Sequence, residues 1–469
     1  RLQNFLMQAS SKITLLLLFA TSAFILGHIL YKGWDFSVYV LNAQYLFGEG
    51  TYFEISRPPL MIFFLGVFSF FGWRAAEYIY IIFSSLLFFL SSLTLARSLR
   101  LQVFPFFLFS INALVLLFAL REGTELLALA LLEFALAFLI QNKNYAVFFL
   151  GLVCLTRYPF VVFFPLLLFH KSWKTRLLSA LGFVIAFIPW FWYNKVHYGN
   201  IFYSIADSYA LNVLYRDYVP HTFHWSSFLF AGNILLPLFL LGVFLVFYNK
   251  KFSRENAILF SILLLIFYSV YSVKADVLRY YIPFTIPFVF FSVSALEFFS
   301  QKSKKILLVS FIFLTLLFTL FGFLSYPSQD FSYIPEGIHM IDGCALESNI
   351  WVPLNYYGRV SEANPPAYAF NSSLENGNYI LLYYDAREPA YMFNQSFLSG
   401  HPIVMQTEEY ILLGKGCLSL SSVDASYLEK LNLLLLENYN YTVSEDPCEI
   451  LFYGNGICTT VNQIFAIGS

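Results

Sequence analysis

Residues 34–60 read WDFSVYVLNAQYLFGEGTYFEISRPPL, and the interpretation of the whole chain starts from this stretch. It follows the first long apolar run, Ile13–Tyr31, so it begins just beyond a predicted membrane edge. One carboxylate, Asp35, comes first, and the polar and aromatic segment Ser37–Phe47 that follows is typical of a helix. After a Gly-Glu-Gly turn the stretch ends with Arg57 against two prolines. The pattern predicts an outer loop that presents a carboxylate, Asp35, and a guanidinium group, Arg57, on one side of a membrane.

The composition indicates a polytopic membrane protein. Hydrophobic residues make up 59% of the chain and charged residues only 12%, whereas a soluble domain carries about 25% charge. The 57 phenylalanines suit lipid-facing and interfacial positions. The first apolar run is followed by Lys32-Gly33-Trp34-Asp35 rather than by a small-residue cleavage site, so we expect a retained span. Membrane lipids are expected partners, and nucleic acid is not.

The apolar runs predict about eleven transmembrane helices, because a span needs roughly 17–25 residues. They lie near residues 13–31, 76–96, 103–120, 124–140, 145–156, 158–170, 177–193, 227–248, 256–273, 279–298 and 305–325. The runs 145–156 and 158–170 are short, and Pro159 and Pro165 allow either two adjacent spans or one broken span.

The distribution of charge predicts the orientation, since cytoplasmic loops are enriched in Lys and Arg. With a cytoplasmic N-terminus, the inner loops hold Lys12, Arg97, Arg100, Lys143, Lys171, Lys174, Arg176, Lys250, Lys251, Arg254, Lys302, Lys304 and Lys305. The outer face then holds Asp35, Glu49, Glu54, Glu122, Glu125, Asp207, Asp217 and Asp276. Fusing the short pair would put the later lysine clusters outside, so two adjacent spans are favoured.

The segment Leu60–Phe71 is apolar but short, and counting it as a span would also reverse the loops that follow it. We therefore predict a helix along the outer interface, paired with the helix at Ser37–Phe47. An ordinary short span is the alternative.

Residues 327–469 differ in character and predict a soluble α/β or α+β domain on the extracytoplasmic side, after a transmembrane domain at 1–326. Strand-like runs lie at 379–384, 403–406, 410–413 and 449–453, and a helix is predicted at 428–438. Four of the five cysteines fall here, which predicts two disulfides: Cys344, Cys417, Cys448 and Cys458. Glycosylation sequons begin at Asn371, Asn394 and Asn440. The fifth cysteine, Cys154, lies in a span and is predicted to pack there.

Ionisable residues gather at the outer ends of the spans, and five outer turns each place an Arg or Lys beside a carboxylate or an aromatic ring. Solvated loop charges are the plain interpretation of any one of them. Taken together they suit a substrate that is both lipid and phosphate. Arginine binds phosphate oxygens with a planar fork, and a carboxylate acts as general base on a hydroxyl within reach.

The order of these motifs resembles the membrane GT-C glycosyltransferases, and among them the protein O-mannosyltransferase and aminoarabinose-transferase-like group. The resemblance spans about residues 10–300 and rests on Asp35, Arg57-Pro58-Pro59-Leu60, Gly123-Thr124-Glu125-Leu126, Leu155-Thr156-Arg157-Tyr158-Pro159, Asn194-Lys195-Val196-His197-Tyr198-Gly199 and Arg279-Tyr280-Tyr281-Ile282-Pro283. Many relatives have Asp-Glu in the first loop, whereas Phe36 follows Asp35 here.

The resemblance implies a role for each residue. Asp35 takes the proton of the acceptor, and Glu125, or Glu122, orients the acceptor or a metal. The lipid phosphate is neutralised by basic residues, namely Arg57, Arg157, Arg279 and Lys274. His221 and His224 are spaced so that they could share a metal with Glu54, but a surface pair is favoured. No cofactor is expected to be essential, although a divalent metal is possible.

The chain is thus expected to move a hexose such as mannose from a polyprenyl- or dolichyl-phosphate carrier to a protein, glycan or lipid, with inversion, on the extracytoplasmic face of a cell or ER-type membrane. A lipid or solute transporter is the alternative from another class. It is disfavoured by the absence of an internal repeat and by ionisable residues placed at span ends rather than at mid-depth. A third hypothesis is a non-catalytic assembly protein of the same fold.

Overall fold

The computed structural model describes residues 2–214, 232, 235–248, 252–273, 277–325, 331–384, 394–426, 442–452 and 456–466. Contacts divide the chain into two units. The membrane unit comprises residues 1–32, 55–327 and 426–469, and the outer unit comprises 33–54 and 328–425. This division differs from the predicted split after residue 326, because residues 33–54 group with the outer unit and residues 426–469 group with the membrane unit.

Helices form most of the described chain. In chain order they are α1 (Leu2–Leu30), α2 (Trp34–Leu46), α3 (Pro59–Phe68), α4 (Trp73–Ser98), α5 (Val103–Ser110), α6 (Ala113–Phe118), α7 (Glu125–Ile140), α8 (Ala146–Thr156), α9 (Trp173–Tyr198), α10 (Tyr203–Tyr209), α11 (Leu235–Tyr248), α12 (Arg254–Val273), α13 (Thr285–Leu296), α14 (Gln301–Ser325), α15 (Tyr333–Gly337), α16 (Trp351–Tyr356), α17 (Phe370–Glu375), α18 (Gln395–Leu398), α19 (Pro447–Phe452) and α20 (Gly456–Ala466). Turns of 3₁₀-helix cover Ser69–Phe71, Tyr158–Phe169, Leu278–Phe284, His339–Ile341 and Ala367–Ala369, and a π-helical turn covers Ala210–Leu214.

The strands are β1 (Tyr52–Glu54), β2 (Leu346–Ser348), β3 (Glu362–Ala363), β4 (Tyr379–Tyr383), β5 (Ile403–Gln406), β6 (Tyr410–Leu413) and β7 (Val423–Ala425). All of them belong to the outer unit.

The predicted fold class, a polytopic helical membrane protein with an α/β domain, is confirmed. Within the described residues, six helices are long and apolar enough to cross a membrane, at Ser11–Leu30, Trp73–Ser98, Trp173–Tyr198, Arg254–Tyr271, Leu278–Leu296 and Gln301–Ser325. Shorter apolar helices lie between them, at Pro59–Phe71, Ala146–Thr156, Tyr158–Phe169 and Leu235–Tyr248.

The predicted span at 103–120 is wrong as a single helix, because the chain breaks into α5 and α6 at Asn112. The Asn112 side chain accepts a hydrogen bond from the backbone N–H of Val115 at 3.1 Å and so caps α6. Its amide also donates to the Thr285 hydroxyl at 3.3 Å. Asparagine is a strong helix N-cap, and here it restarts the helix inside an apolar run.

The two short segments after residue 145 run in opposite directions, as the hypothesis of two adjacent spans requires. Lys171, which follows the 3₁₀ segment, donates its backbone N–H to the Asn142 side chain at 3.0 Å, just before α8 begins. Arg254 donates to the Phe169 carbonyl at 2.7 Å and to the Leu139 carbonyl at 3.0 Å. Three of the predicted inner loops, those that hold Lys143, Lys171 and Arg254, therefore lie together at one end of the membrane unit.

The outer unit contains a five-stranded mixed sheet in the order β3-β2-β4-β6-β5. Alternate residues of β4 and β6 point to opposite faces, as the period of a strand requires. Leu381 and Leu412 pack on one face with α15, whereas Ile380 and Leu413 pack on the other face with α17. Both faces are covered, so this sheet is the centre of an α/β core. The predicted strands at 403–406 and 410–413 are confirmed, and that at 379–384 ends one residue earlier.

The first outer loop is built into this outer unit. Strand β1 pairs in parallel with β7, with Tyr52 opposite Val423. Helix α2 packs on α16, where the rings of Trp34 and Trp351 lie 4.7 Å apart. Asn42 joins α2 to β1, because its amide donates to the Glu54 carbonyl at 2.7 Å and its oxygen accepts the Glu54 N–H at 2.8 Å.

The prediction of a strand at 449–453 is wrong for residues 449–452, which lie in the helix α19, and residue 453 lies outside the described residues. The side chain of Asp446 accepts the backbone N–H of Cys448 at 2.8 Å, and Pro447 occupies the first helical position. An Asp-Pro start of this kind is typical of a helix. The predicted helix at 428–438 lies outside the described residues.

The cysteine predictions are confirmed. Two disulfides join Cys344 to Cys417 in the outer unit and Cys448 to Cys458 in the membrane unit. Cys154 is a buried free thiol. Of the sequons, Asn371 and Asn394 are exposed, and Asn440 lies outside the described residues.

Candidate functional site

A tight turn before α7 fixes the position of Glu125. Gly123 adopts a φ of +99°, a conformation that favours glycine. Its carbonyl accepts a hydrogen bond from the Tyr80 hydroxyl of α4 at 2.8 Å, and the Leu126 N–H bonds back to the Ala119 carbonyl at 2.8 Å. Glu125 therefore occupies the first turn of α7, where the helix dipole favours a negative charge.

Arg157 leaves the end of α8 and donates a hydrogen bond to Oε1 of Glu125. The glutamate side chain is 3% exposed and the arginine side chain 14% exposed. Arg157 has an extended backbone because α8 ends there and Tyr158-Pro159 begins the 3₁₀ segment. The sequence motif Thr156-Arg157-Tyr158-Pro159 thus places a guanidinium on the N-terminus of α7.

Arg279 completes this cluster from the 3₁₀ turn before α13. Its Nε lies 3.6 Å from Oε1 of Glu125, and its Nη1 lies 3.4 Å from Oε1 of Glu122. The ring of Tyr280 lies under both cations, 5.2 Å from the guanidinium carbon of Arg157 and 5.8 Å from that of Arg279. We call these five residues, Glu122, Glu125, Arg157, Arg279 and Tyr280, the Glu125 cluster.

The Glu125 cluster contains two cations and two carboxylates in a mostly buried setting. Each guanidinium has five N–H donors in a rigid fork, a geometry that suits carboxylate and phosphate oxygens. The aromatic face of Tyr280 restrains both cations. Chemically, the cluster can hold a phosphate beside a carboxylate at one end of the membrane unit.

The cluster lies at the opposite end of α7 from the contacts of Asn142 and Arg254, so the membrane unit separates the two predicted sets of loop charges. Four of the predicted site residues thus come together, namely Glu122, Glu125, Arg157 and Arg279. Arg57 belongs to the same unit, in the turn before α3.

The remaining predicted residues lie elsewhere. Asp35 is part of the outer unit, half-buried in the first turn of α2, and its role as a base stays a prediction. Lys274, His221 and His224 lie outside the described residues. Glu54, their predicted metal partner, is fully buried in β1 and accepts a hydrogen bond from the Tyr52 hydroxyl, which itself accepts from the Trp351 indole at 3.0 Å. In the described part of the chain, no group of three or more His, Cys, Asp or Glu residues could hold a metal.

Two buried carboxylates were missed by the sequence analysis. Glu77, 3% exposed, lies 2.8 Å from Nε2 of His28 and 2.9 Å from Nζ of Lys32. Glu133, fully buried, lies in the middle of α7 and accepts hydrogen bonds from the Ser91 and Ser92 hydroxyls of α4, both at 2.7 Å. Glu133 shows that an ionisable residue also lies away from the helix ends. The sequence signal for such a buried carboxylate is a single acidic residue inside an apolar run.

A buried polar network adjoins Arg157 through the next residue, Tyr158. The Trp190 indole donates to the Tyr158 hydroxyl at 2.7 Å and to the Ser204 hydroxyl at 2.8 Å. The Asn194 amide donates to Ser204 at 2.9 Å. Asn194 and Tyr158 both belong to predicted motifs. Through these hydrogen bonds the two motifs join α9, α10 and the 3₁₀ segment that begins next to Arg157.

These features define a class: a polytopic membrane protein with a charged cluster at one end of its helices and an α/β domain built partly from its first loop. Two solved structures share the fold, ArnT from Cupriavidus metallidurans bound to undecaprenyl phosphate and ArnT in the apo state. Each has a TM-score of 0.58 and 11% sequence identity, and the alignments cover 86% and 87% of this chain and 97% and 98% of ArnT. The chain thus shares the overall fold of ArnT.

A curated relative is the GPI transamidase component GAB1 of Saccharomyces cerevisiae, 23% identical over 223 residues. The match covers 43% of this chain and 54% of the yeast protein, so the chain spans about half the length of this relative. No protein-family profile matches the chain.

Proposed function

We propose that the chain is a membrane glycosyltransferase that moves a monosaccharide from a polyprenyl-phosphate carrier to a hydroxyl-bearing acceptor on the extracytoplasmic face. The observation that carries this proposal is the Glu125 cluster, which offers two partly exposed guanidinium groups next to a buried carboxylate. The ArnT fold supports it, since one of the two ArnT structures holds undecaprenyl phosphate.

In the proposed reaction, the acceptor oxygen attacks the anomeric carbon while Asp35 takes the acceptor proton. The new bond to the sugar forms as the bond from the anomeric carbon to the phosphate oxygen breaks, and the electron pair leaves with the polyprenyl phosphate. Direct displacement inverts the anomeric centre. Arg157 and Arg279, with Arg57 and Lys274 as further candidates, neutralise the charge that grows on the leaving phosphate. Glu125 and Glu122 orient the two arginines. No metal is required for these steps.

The test is to incubate the purified, reconstituted protein with a panel of labelled polyprenyl-phosphate sugars and to measure which label is consumed. We expect one donor to be consumed, and Asp35→Asn to lower turnover by roughly 10²–10⁴-fold, the usual contribution of a general base. Glu49→Gln, an exposed acid in the same loop, is the matched control and should keep normal turnover. An Asp35→Asn protein with wild-type turnover would remove Asp35 from the mechanism.

A second candidate is favoured by the GAB1 match: a membrane subunit that works within a multiprotein transferase assembly and does not itself cleave a donor. In that case the purified protein consumes no donor in the panel, and Asp35→Asn supports growth of cells that depend on the protein as well as wild type does. Affinity purification from mild detergent should then recover stoichiometric partner subunits. Flux of a solute or lipid in vesicles, with no donor consumed, would instead indicate a transporter.

A further inference from the structure

The last described helix, α20, has two unlike faces. Its sequence, GICTTVNQIFA, contains no charged residue. At the helical spacing of i, i+4 and i+7 it carries Ile457, Val461 and Ile464, of which Ile457 is 70% exposed and Ile464 is 62% exposed. We call these three residues the α20 apolar stripe. The polar residue Gln463 is also exposed, on another side of the helix.

Helix α20 is fixed in place from its other side. Cys458 is buried and forms a disulfide with Cys448 of α19. Asn462 accepts hydrogen bonds from Nζ of Lys195 and from the backbone N–H of Ile201, both at 3.4 Å. Helix α19 packs on α10, where Ile450 is buried with Ala206 and Ala210. Helix α20 is therefore held by a disulfide and by hydrogen bonds, and its apolar stripe is exposed in that fixed position.

The anchor lies at the end of a membrane-spanning helix. Helix α9 has 26 residues, so it is roughly 39 Å long and extends beyond a hydrocarbon core of about 30 Å. Its C-terminal end carries an aromatic cluster, in which the rings of Tyr198 and Tyr203 stack at 4.7 Å and those of Tyr193 and His197 lie 4.3 Å apart. Aromatic residues of this kind mark the membrane–water interface.

Exposed apolar residues also lie on α9, close to its contact with α20. Trp192 and Val196, in the last turns of α9, are 50% and 59% exposed, as lipid-facing residues of a span are. Asn462 bonds to Lys195 and Ile201, so α20 lies at the depth where this lipid-facing surface ends. At that depth, the boundary between headgroups and acyl chains suits the apolar face of an amphipathic helix.

We propose that α20 lies in the membrane interface and inserts the α20 apolar stripe into the lipid, so that this disulfide-anchored helix is a second membrane-contacting element besides the spans. The absence of charge on α20 points to the apolar part of the lipid rather than to anionic headgroups. Insertion of the α20 apolar stripe should therefore be the same in neutral and in anionic bilayers. This inference is independent of the proposed glycosyltransferase activity.

The test uses the full chain with Cys154→Ala, so that an introduced thiol is the free one for labelling among the described cysteines. Ile464→Cys and the matched control Gln463→Cys are spin-labelled and reconstituted into phosphatidylcholine vesicles. Collision with oxygen, which concentrates in lipid, is compared with collision with a water-soluble nickel chelate. We expect oxygen to dominate at 464 and the nickel chelate at 463, with no change when anionic lipid is added. Mass mapping of the Cys448–Cys458 bridge checks that the variants fold.

Two outcomes would overturn the proposal. Equal nickel access at both positions would place the stripe in water, and an immobile label at 464 that neither reagent reaches would place it against a partner protein or a second copy. A further measurement needs no substitution, since a lipid with a photoreactive acyl chain should leave adducts on residues 457–465 of the native chain. Absence of adducts there, with adducts present on α9, would equally contradict it.

Discussion

Helix α7 carries two buried glutamates whose surroundings differ completely. Glu125 and Glu133 are 3% and 0% exposed, and eight residues separate them by roughly 12 Å along the axis. Glu125, at the helix start, contacts two arginines. Glu133, in the middle of the helix, contacts two serine hydroxyls of α4, and within the described residues it forms no ion pair.

The difference shows how position along a span decides what a buried acid can do. At the end of a helix the dipole and the flanking turns supply positive charge, so a carboxylate there finds charged partners. In the middle of a span a charge is costly, and hydroxyl groups are the partners that a neighbouring helix provides. The proposed functional site therefore includes Glu125, whereas the contacts of Glu133 join α7 to α4.

The largest effect is expected from Glu125→Ala, which removes a carboxylate that contacts both Arg157 and Arg279. Removing one partner of a buried ion pair costs about 3–5 kcal/mol, so the unfolding temperature in detergent should fall steeply. The exposed residue Glu49, changed to Ala, serves as control. An unchanged unfolding temperature for Glu125→Ala would show that the two arginines do not depend on Glu125.

A smaller effect is expected when both partners of the pair are removed. The double variant Glu125→Gln with Arg157→Gln leaves no uncompensated charge at that contact, so it should be more stable than Arg157→Gln alone. Thermal unfolding of the two single variants and the double variant measures this coupling. Strictly additive losses would contradict a direct interaction.

At Glu133 the shape of the side chain should matter more than its charge. Glu133→Gln retains an oxygen for Ser91 and Ser92 and should unfold close to wild type. Glu133→Leu leaves the serine hydroxyls without that acceptor and should cost about 1–3 kcal/mol. If Glu133→Gln were instead as damaging as Glu125→Ala, an ionised Glu133 would be required and the contrast between the two glutamates would fail. The readout is again the unfolding temperature.

The smallest effect is expected at the serines themselves. Ser92→Ala removes one of two donors to the same oxygen, Oε2 of Glu133, so it should cost only about 0.5–1.5 kcal/mol, the net value of a typical hydrogen bond. The double change of Ser91 and Ser92 to Ala should cost more than the sum of the single changes, because the carboxyl group then loses both donors. Ser98→Ala, at the exposed end of α4, is the control. Equal losses of stability at all three serines would argue against a specific contact of Ser91 and Ser92 with Glu133.

Much of the fold was predictable because its signals are local. Strands β5 and β6 are short, mostly apolar runs of four residues between turn residues. The sequence predicts both at their observed bounds. The break at Asn112 and the helix at Asp446-Pro447 were not foreseen, although both depend on capping side chains that are visible in the sequence. At the first place the apolar run predicts a continuous span, and at the second the β-like composition predicts a strand. In both places the capping side chain instead marks the start of a helix.

The sequence by itself determined that this is a membrane protein, and it predicted which turns carry the acids and bases, because span length and loop charge are properties of contiguous residues. Only the tertiary structure decided which of those charges meet. Arg157 reaches Glu125 across 32 residues of chain, Glu133 finds its serines on another helix, and the first outer loop pairs with a strand near residue 423. Such contacts depend on how helices and strands pack, and hydrophobic periodicity says which face of a helix is buried but not which partner covers it.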